Sequence, residues 1–510
     1  MTRFTTLLST LPFVIWSHAG LAQNSEPTFS AKEMEIVEQA YVSGDLETAR
    51  IGLEEMAPLS DNPVHWYRLG YMLINAQGGP LEIDEGIVWL RKAAETGHNE
   101  ALLGLGKIYL NGEGVTADPA LAEGFLRQAA EKDEREAQLL LARLYLQGAP
   151  DFAPNLEASL TLYNTAAEAG NPQAQFALAL LYGQDQFGIR DNEKSLFWLG
   201  QAADNGDVQA QFNLARNLES GFGIAQDPEA AIARYRQAAQ GGHVTAQRIM
   251  GAKYLLDEIP EPIPGRAMTL LEAAALTGDA AAQSNLGYAF ATGTKATRND
   301  VTAAGWYQMA ADQGFSPATA ALGSFYETGR GVEVDLEKAA TLYRIAAGQG
   351  NAQAAAQLGG MVANGSPATL RAEENSLLWV LTAAVSGNDT ATDWLQAQAA
   401  DGNADAKGLL AELYIEGHVA TPEGIDPITL LKESATQGFS EAQHRLGAMY
   451  VTGESGLPAD YLSAYMWHNL AAARGYQQSA EARDLIAKLM TPEQISEAQT
   501  MTRKHLAEQN

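Results

Sequence analysis

Apolar residues recur three and four positions apart along most of this chain, in blocks that resemble one another. In residues 315–350, Ala318, Leu322, Gly323 and Tyr326 fall on one face of a predicted first helix. Thr328-Gly329-Arg330-Gly331-Val332 then breaks that helix, glycine being the residue that turns the chain at a helix end. Asp335 is placed to cap a second helix, and Glu337 sits in its first turn, where the helix dipole favours an anion. Lys338, Ala339, Leu342, Tyr343, Ala346 and Ala347 carry the second helix to Gly350. The alanine pair and Gly323 predict that neighbouring helices approach closely, because larger side chains there would overpack the contact.

The same block returns along the chain. Its closing glycines are Gly97, Gly170, Gly206, Gly242, Gly278, Gly314, Gly350, Gly387, Gly438 and Gly475, and Asp133 stands where one more belongs. Nearly all steps are 36 or 37 residues; the one from Gly387 to Gly438 is 51. A period of that size predicts an all-α fold, a right-handed α-solenoid of antiparallel helix hairpins with capping helices at its ends. The long step contains one extra helix near Trp394, at which a bend or block boundary is expected. Extra prolines in Ala149–Asn155 and Asp257–Gly265 predict stiff protruding loops.

Asn111-Gly112-Glu113-Gly114-Val115 with Asp118, and Gly329-Arg330-Gly331-Val332 with Asp335, resemble the Sel1-like repeat (SLR) family, relatives of the tetratricopeptide repeats. Tyr465–Ala472 and Met490-Thr491-Pro492-Glu493-Gln494 are similar to the ending of bacterial members. The predicted organisation is a signal peptide at 1–22, a tetratricopeptide-like capping hairpin at 23–61 and nine repeat units at 62–387. The inserted helix at 388–402, two further units at 403–475 and capping helices at 476–510 follow. Thr491 and Gln494 form a predicted capping box with Pro492 at the first helical position. The resemblance implies a non-catalytic adaptor or scaffold that binds protein or peptide through a concave face. For some bacterial members it implies a role in membrane signalling or envelope assembly.

Residues 1–22 pair Arg3 with a short apolar stretch, Phe4–Trp16, and end in small residues at Gly20 and Ala22. That is the pattern of a secretory signal cleaved after Ala22, so a periplasmic or secreted protein is expected. No later run is long and apolar enough to span a bilayer. The net charge is −29, with 33 Lys+Arg against 62 Asp+Glu, which argues against nucleic acid and anionic lipid. It favours instead a protein partner with a basic patch, self-repulsion keeps the array soluble and extended, and a monomer is expected. The absence of cysteine removes disulfides, thiol nucleophiles and Cys-ligated metals.

Catalytic motifs are missing: no Ser-x-x-Lys, His-Glu-x-x-His, phosphate-binding loop or nucleophile elbow occurs. Gly221-Phe222-Gly223 lies at an inter-helix turn with no strand before it, so it reads as a turn and not a dinucleotide site. His98 and His243 read as polar turn residues, His468 has no predicted Glu or Cys partner, and Glu131–Glu136 reads as a solvated helix junction. Tyr109, Tyr145, Tyr182, Tyr254, Tyr326, Tyr414 and Tyr450 form a ladder expected to be inter-repeat core. No catalytic, cofactor-binding or metal residue is therefore assigned, no cofactor is expected, and the binding residues stay unknown. Two alternatives remain open at this point: recognition of peptidoglycan or exopolysaccharide by exposed aromatics, and an envelope hydrolase built on a carboxylate pair.

Overall fold

The computed structural model of the chain describes residues 29–372 and 375–509; the expected leader at 1–22 lies outside them. Among the described residues every regular element is helical, apart from an isolated antiparallel bridge between Ala149 and Phe152. The chain divides into two compact units between Asp227 and Pro228, and not at the inserted helix.

The first unit opens with the hairpin α1 (Ala31–Ser43) and α2 (Leu46–Met56). The hairpins α3 (Pro63–Ile74) with α4 (Ile83–Glu95), α5 (Asn99–Asn111) with α6 (Pro119–Ala130) and α7 (Arg135–Gln147) with α8 (Leu156–Glu168) follow. α9 (Pro172–Gly183) pairs with α10 (Asn192–Asp204), and α11 (Val208–Ser220) packs on α10.

The second unit begins with α12 (Pro228–Gln240), against which α13 (Val244–Leu255) packs before pairing with α14 (Arg266–Leu276). Hairpins α15 (Ala280–Thr292) with α16 (Asp300–Asp312), α17 (Ser316–Thr328) with α18 (Leu336–Gly348) and α19 (Ala352–Asn364) with α20 (Ser376–Val385) continue it. The inserted helix is α21 (Asp389–Ala400); it packs against α19, α20 and the next helix, α22 (Ala404–Ile415). α22 pairs with α23 (Pro427–Gln437), and α24 (Ser440–Thr452) with α25 (Tyr461–Ala473). α26 (Gln477–Ala487) and α27 (Pro492–Gln509) both pack on α25.

Three recurrent devices hold the hairpins. Side-chain caps start the helices: Asp335 accepts from Lys338 N at 2.9 Å, and Thr491 with Gln494 makes the expected reciprocal box. Where a first helix carries the Leu-Gly glycine, that glycine lies flat against its second helix. A Cβ added at Gly323 would come within 2.9 Å of the Tyr343 ring, so the close approach read from the sequence is present. Finally, a first-helix glutamine donates to a carbonyl at the end of the preceding second helix. Gln138, Gln175, Gln211, Gln247, Gln283 and Gln443 bond Ala130, Ala167, Ala203, Ala239, Ala275 and Ala435 in this way. Each carbonyl already accepts a backbone N–H from the turn that follows, and the glutamine supplies a second donor that ties the next hairpin to this helix end.

The two proline-bearing loops are tied down. Ala149 and Phe152 exchange backbone bonds at 2.9 Å, and the Phe152 ring stacks on Tyr145. Asp257 is held by Lys295 at 2.6 Å, and Glu261 accepts from Ala267 N at 2.8 Å. Most residues of both loops are exposed all the same, as the extra prolines suggest.

Candidate functional site

The helical period leaves one stripe of every first helix outside the hairpin core, and successive stripes lie side by side. Grooves form where two such stripes flank a second-helix residue. One lies between α7 and α9 over Tyr163, a second between α9 and α11 over Leu199, and a third, in the second unit, between α17 and α19 over Tyr343. The α9–α11 groove encloses about 730 Å³ and the α7–α9 groove about 630 Å³.

A missing side chain explains the size of the α9–α11 groove. Gly183 stands five residues past Leu178, where other units place Leu110, Leu146 or Leu255. With no side chain there, the groove reaches Ser195, whose Oγ donates to the Ala179 carbonyl at 2.7 Å. Leu180 and Phe222 stand exposed at its walls, and Leu199 forms an apolar floor only 6% exposed.

Acidic and basic side chains stand together in these grooves, Glu134 and Glu136 with Arg135 and Arg143 in the first and Glu219 with Arg216 in the second, in contrast to the acidic surplus of the whole chain. Directly after each Leu-Gly or Leu-Ala pair, the first unit carries Tyr71, Lys107, Arg143, Leu180 and Arg216. Lys107 is paired with Glu136 at 2.7 Å. Arg143 and Arg216 are exposed, lie in the α7–α9 and α9–α11 grooves, and have no side-chain hydrogen bond or ion pair. In the second unit the same position is occupied by Ala252, Tyr288, Ser324 and Gly360, then by Glu412 and Ala448. Burial pushes the Glu412 carboxyl up, against the opposing effect of Arg445 at 3.3 Å.

The tyrosine ladder belongs mainly to the packing. Tyr109, Tyr254 and Tyr414 are buried, and Tyr145, Tyr182, Tyr326 and Tyr450 are half-buried. Hydroxyls are tied locally, as by Arg91 on Tyr109 at 2.7 Å and by Tyr145 on Glu123 at 2.7 Å. Burial, then that bond to Glu123, pushes Tyr145 up to about 12. No tryptophan among the described residues is exposed. The ladder tyrosines therefore form no exposed stripe, while Tyr71, Tyr288 and Tyr461, outside the ladder, are exposed.

His243 caps α13, its Nδ1 accepting from Ala246 N at 3.2 Å, and His98 stacks on Tyr67 with ring centroids 4.8 Å apart. In the Glu131–Glu136 segment, Lys132 donates to the Gly97 carbonyl and Glu136 holds Lys107. Among the described residues no cluster of three His, Asp or Glu suits a metal, and no helix is long and apolar enough to cross a membrane.

His468 does have partners, of a kind its sequence neighbourhood did not indicate. Ser479 Oγ of α26 lies 2.8 Å from His444 Nδ1 of α24 and 3.4 Å from His468 Nδ1 of α25. Burial, with His444 beside it, pushes His468 down to about 4. A serine touching imidazole suggests a nucleophile, but Ser479 is wholly buried and His468 is 1% exposed. The trio fastens three helices together and offers a substrate no access.

The sequence model of the Sel1 repeat matches residues 67–98, 99–134, 135–171, 172–207, 208–243, 280–315, 316–351 and 440–476. No curated protein matches the chain. Among solved structures, the chain is similar to c5321, a protective antigen of uropathogenic Escherichia coli strains displaying an SLR fold. The two are 25% identical over 93% of this chain and 94% of that one, with a TM-score of 0.55. A Sel1 repeat protein from Oxalobacter formigenes is 32% identical over 63% of this chain and 88% of its own, with a TM-score of 0.42.

Proposed function

The chain belongs to the Sel1 repeat family, and from that premise we propose that it is an exported scaffold whose first-helix face holds an envelope protein. Sel1 repeat proteins are generally protein-interaction scaffolds, and this fold is typically non-catalytic. The single observation that carries the reading is the recurring groove between successive first helices, open, and floored by buried second-helix residues. Open grooves in series suit a segment of another protein; they do not enclose a small substrate.

Export is supported by the leader pattern of residues 1–22 and by the likeness to a protective antigen, a protein that an immune system encounters. The surplus of carboxylates favours approach by a partner with a basic patch, and the chain acts as a monomer. Regulation of membrane signalling or envelope assembly is the role that fits such a scaffold.

Cell fractionation combined with cross-linking of the full chain tests this reading. A processed chain in the periplasmic or secreted fraction, cross-linked to an envelope protein, is the expected result. An unprocessed chain confined to the cytoplasm would overturn the export part, and a chain without any protein adduct would overturn the scaffold.

A further inference from the structure

Resting on the scaffold reading, we infer that the adjoining grooves α7–α9 and α9–α11 seat an extended peptide segment carrying two carboxylates about six residues apart, with apolar side chains between them.

Three observations carry this inference. Arg143 and Arg216 are unpaired cations in a chain of net charge −29, and they occupy the same repeat position two units apart. An arginine without an intramolecular partner is available to an external anion, and its guanidinium grips a carboxylate in two-pronged fashion. The repeat position between them is Leu180, which is 42% exposed and stands above Leu199. The face therefore reads cation, apolar, cation. Finally, Asn213 and Asn217 line the α9–α11 groove on either side of Arg216, and the Asn217 amide has no side-chain partner. A side-chain amide offers both donor and acceptor, which is what the backbone of an extended peptide requires.

The spacing follows from helix packing. Neighbouring first helices stand roughly 10 Å apart, so two steps cover about 20 Å. An extended chain advances about 3.3 Å per residue, so about six residues span that distance. Acidic groups are present nearby: Glu134 and Glu136 stand at the α7 end, Glu136 already bound to Lys107, and Glu219 lies at the far end of the α9–α11 groove. They frame the seat and restrict where a carboxylate can settle. The distinction from the basic-patch partner is one of range: the whole-chain charge governs approach over a Debye length, whereas the groove arginines govern the seated segment.

The test uses the full mature chain and three fluorescein-labelled heptapeptides, Asp-Ser-Leu-Ser-Leu-Ser-Asp and its versions with Asn or Lys at both ends, measured by fluorescence polarisation at low and physiological salt. The Asp-ended peptide is expected to bind at least tenfold tighter than the Asn-ended one. Arg143→Glu and Arg216→Glu should each weaken it at least fivefold, with thermal melts unchanged because both side chains are exposed. The double variant should come to prefer the Lys-ended peptide. Equal or tighter binding of the Lys-ended peptide by the parent chain would overturn the inference. So would no binding of the Asp-ended peptide at millimolar concentration, or arginine variants that behave like the parent. Those results leave the scaffold reading standing, since that is judged by cross-linking in the envelope.

Discussion

Gln396 of α21 donates to the Tyr414 hydroxyl of α22 at 3.1 Å, eighteen residues on. Arg91 with Tyr109 and Arg236 with Tyr254 make the same link over the same interval, from a second helix to the next first helix. Toward α22, then, α21 behaves as a second helix, and it ends as one, in Ala399-Ala400-Asp401-Gly402. Toward α19 it behaves as a first helix: Asn388 caps it on Ala391 N at 3.0 Å, and Ala391 and Leu395 are buried.

Because α21 combines a first-helix start with a second-helix end, removing residues 388–402 joins Gly387 to Asn403 and restores the ordinary step. The deletion variant should remain helical and unfold in one cooperative transition, monitored by circular dichroism. Loss of cooperative unfolding would show that α21 has no such dual role.

Gln443 Oε1 is buried without a hydrogen-bond partner. In two other units the residue before the closing glycine fills this need: Asn205 donates to Gln175 Oε1 at 2.9 Å, and Gln313 to Gln283 Oε1 at 2.8 Å. Arg474 holds the equivalent position but lies against Gly438. Arg474→Gln should therefore stabilise the chain by about 1 kcal/mol, the value of satisfying one buried acceptor, in chemical denaturation.

Asp133 replaces a repeat glycine and takes φ 61°, whereas Gly350 takes φ 86° at the equivalent site. A side chain in the left-handed region costs roughly 1 kcal/mol, which aspartate partly recovers by local bonding. Asp133→Gly is expected to raise stability by about 0.5 kcal/mol, seen as a small upward shift in denaturation midpoint.

The Ser479 trio sets a pH dependence. His468 is held near 4 in the fold against about 6.5 when unfolded, and burial lowers His444 as well. Between those values the unfolded chain binds more protons, so stability is complete above about pH 6.5 and falls as pH drops toward 4. His468 alone accounts for roughly 3 kcal/mol of that loss. His468→Gln should flatten the acid limb of a stability-versus-pH curve; an unchanged limb would contradict the assignment.

Much of this fold was legible in the chain. The period, the Asp335 cap, the Thr491 box and the close approach at Gly323 are local or repeated features, and repetition makes a weak local preference conspicuous. What escaped depended on departures from the repeat. The α9–α11 groove arises from a side chain that is absent at Gly183, and absence has no periodicity. The Ser479 trio draws one residue from each of three helices, so no spacing announces it. The −29 charge is an average that conceals where Arg143 and Arg216 point. The dual character of α21 was present in Asn388, Leu395 and Gln396, but only the partner helices show that one helix carries both patterns.

The most direct measurement places a photo-cross-linking amino acid at Leu180 or Tyr288 on the first-helix face and at Val88 or Val301 on second helices, all exposed sites, in cells that produce the protein. Covalent adducts to one envelope protein from Leu180 or Tyr288, and none from Val88 or Val301, are the predicted result. Adducts formed equally from both sets, or only from the second helices, would contradict binding through the first-helix face.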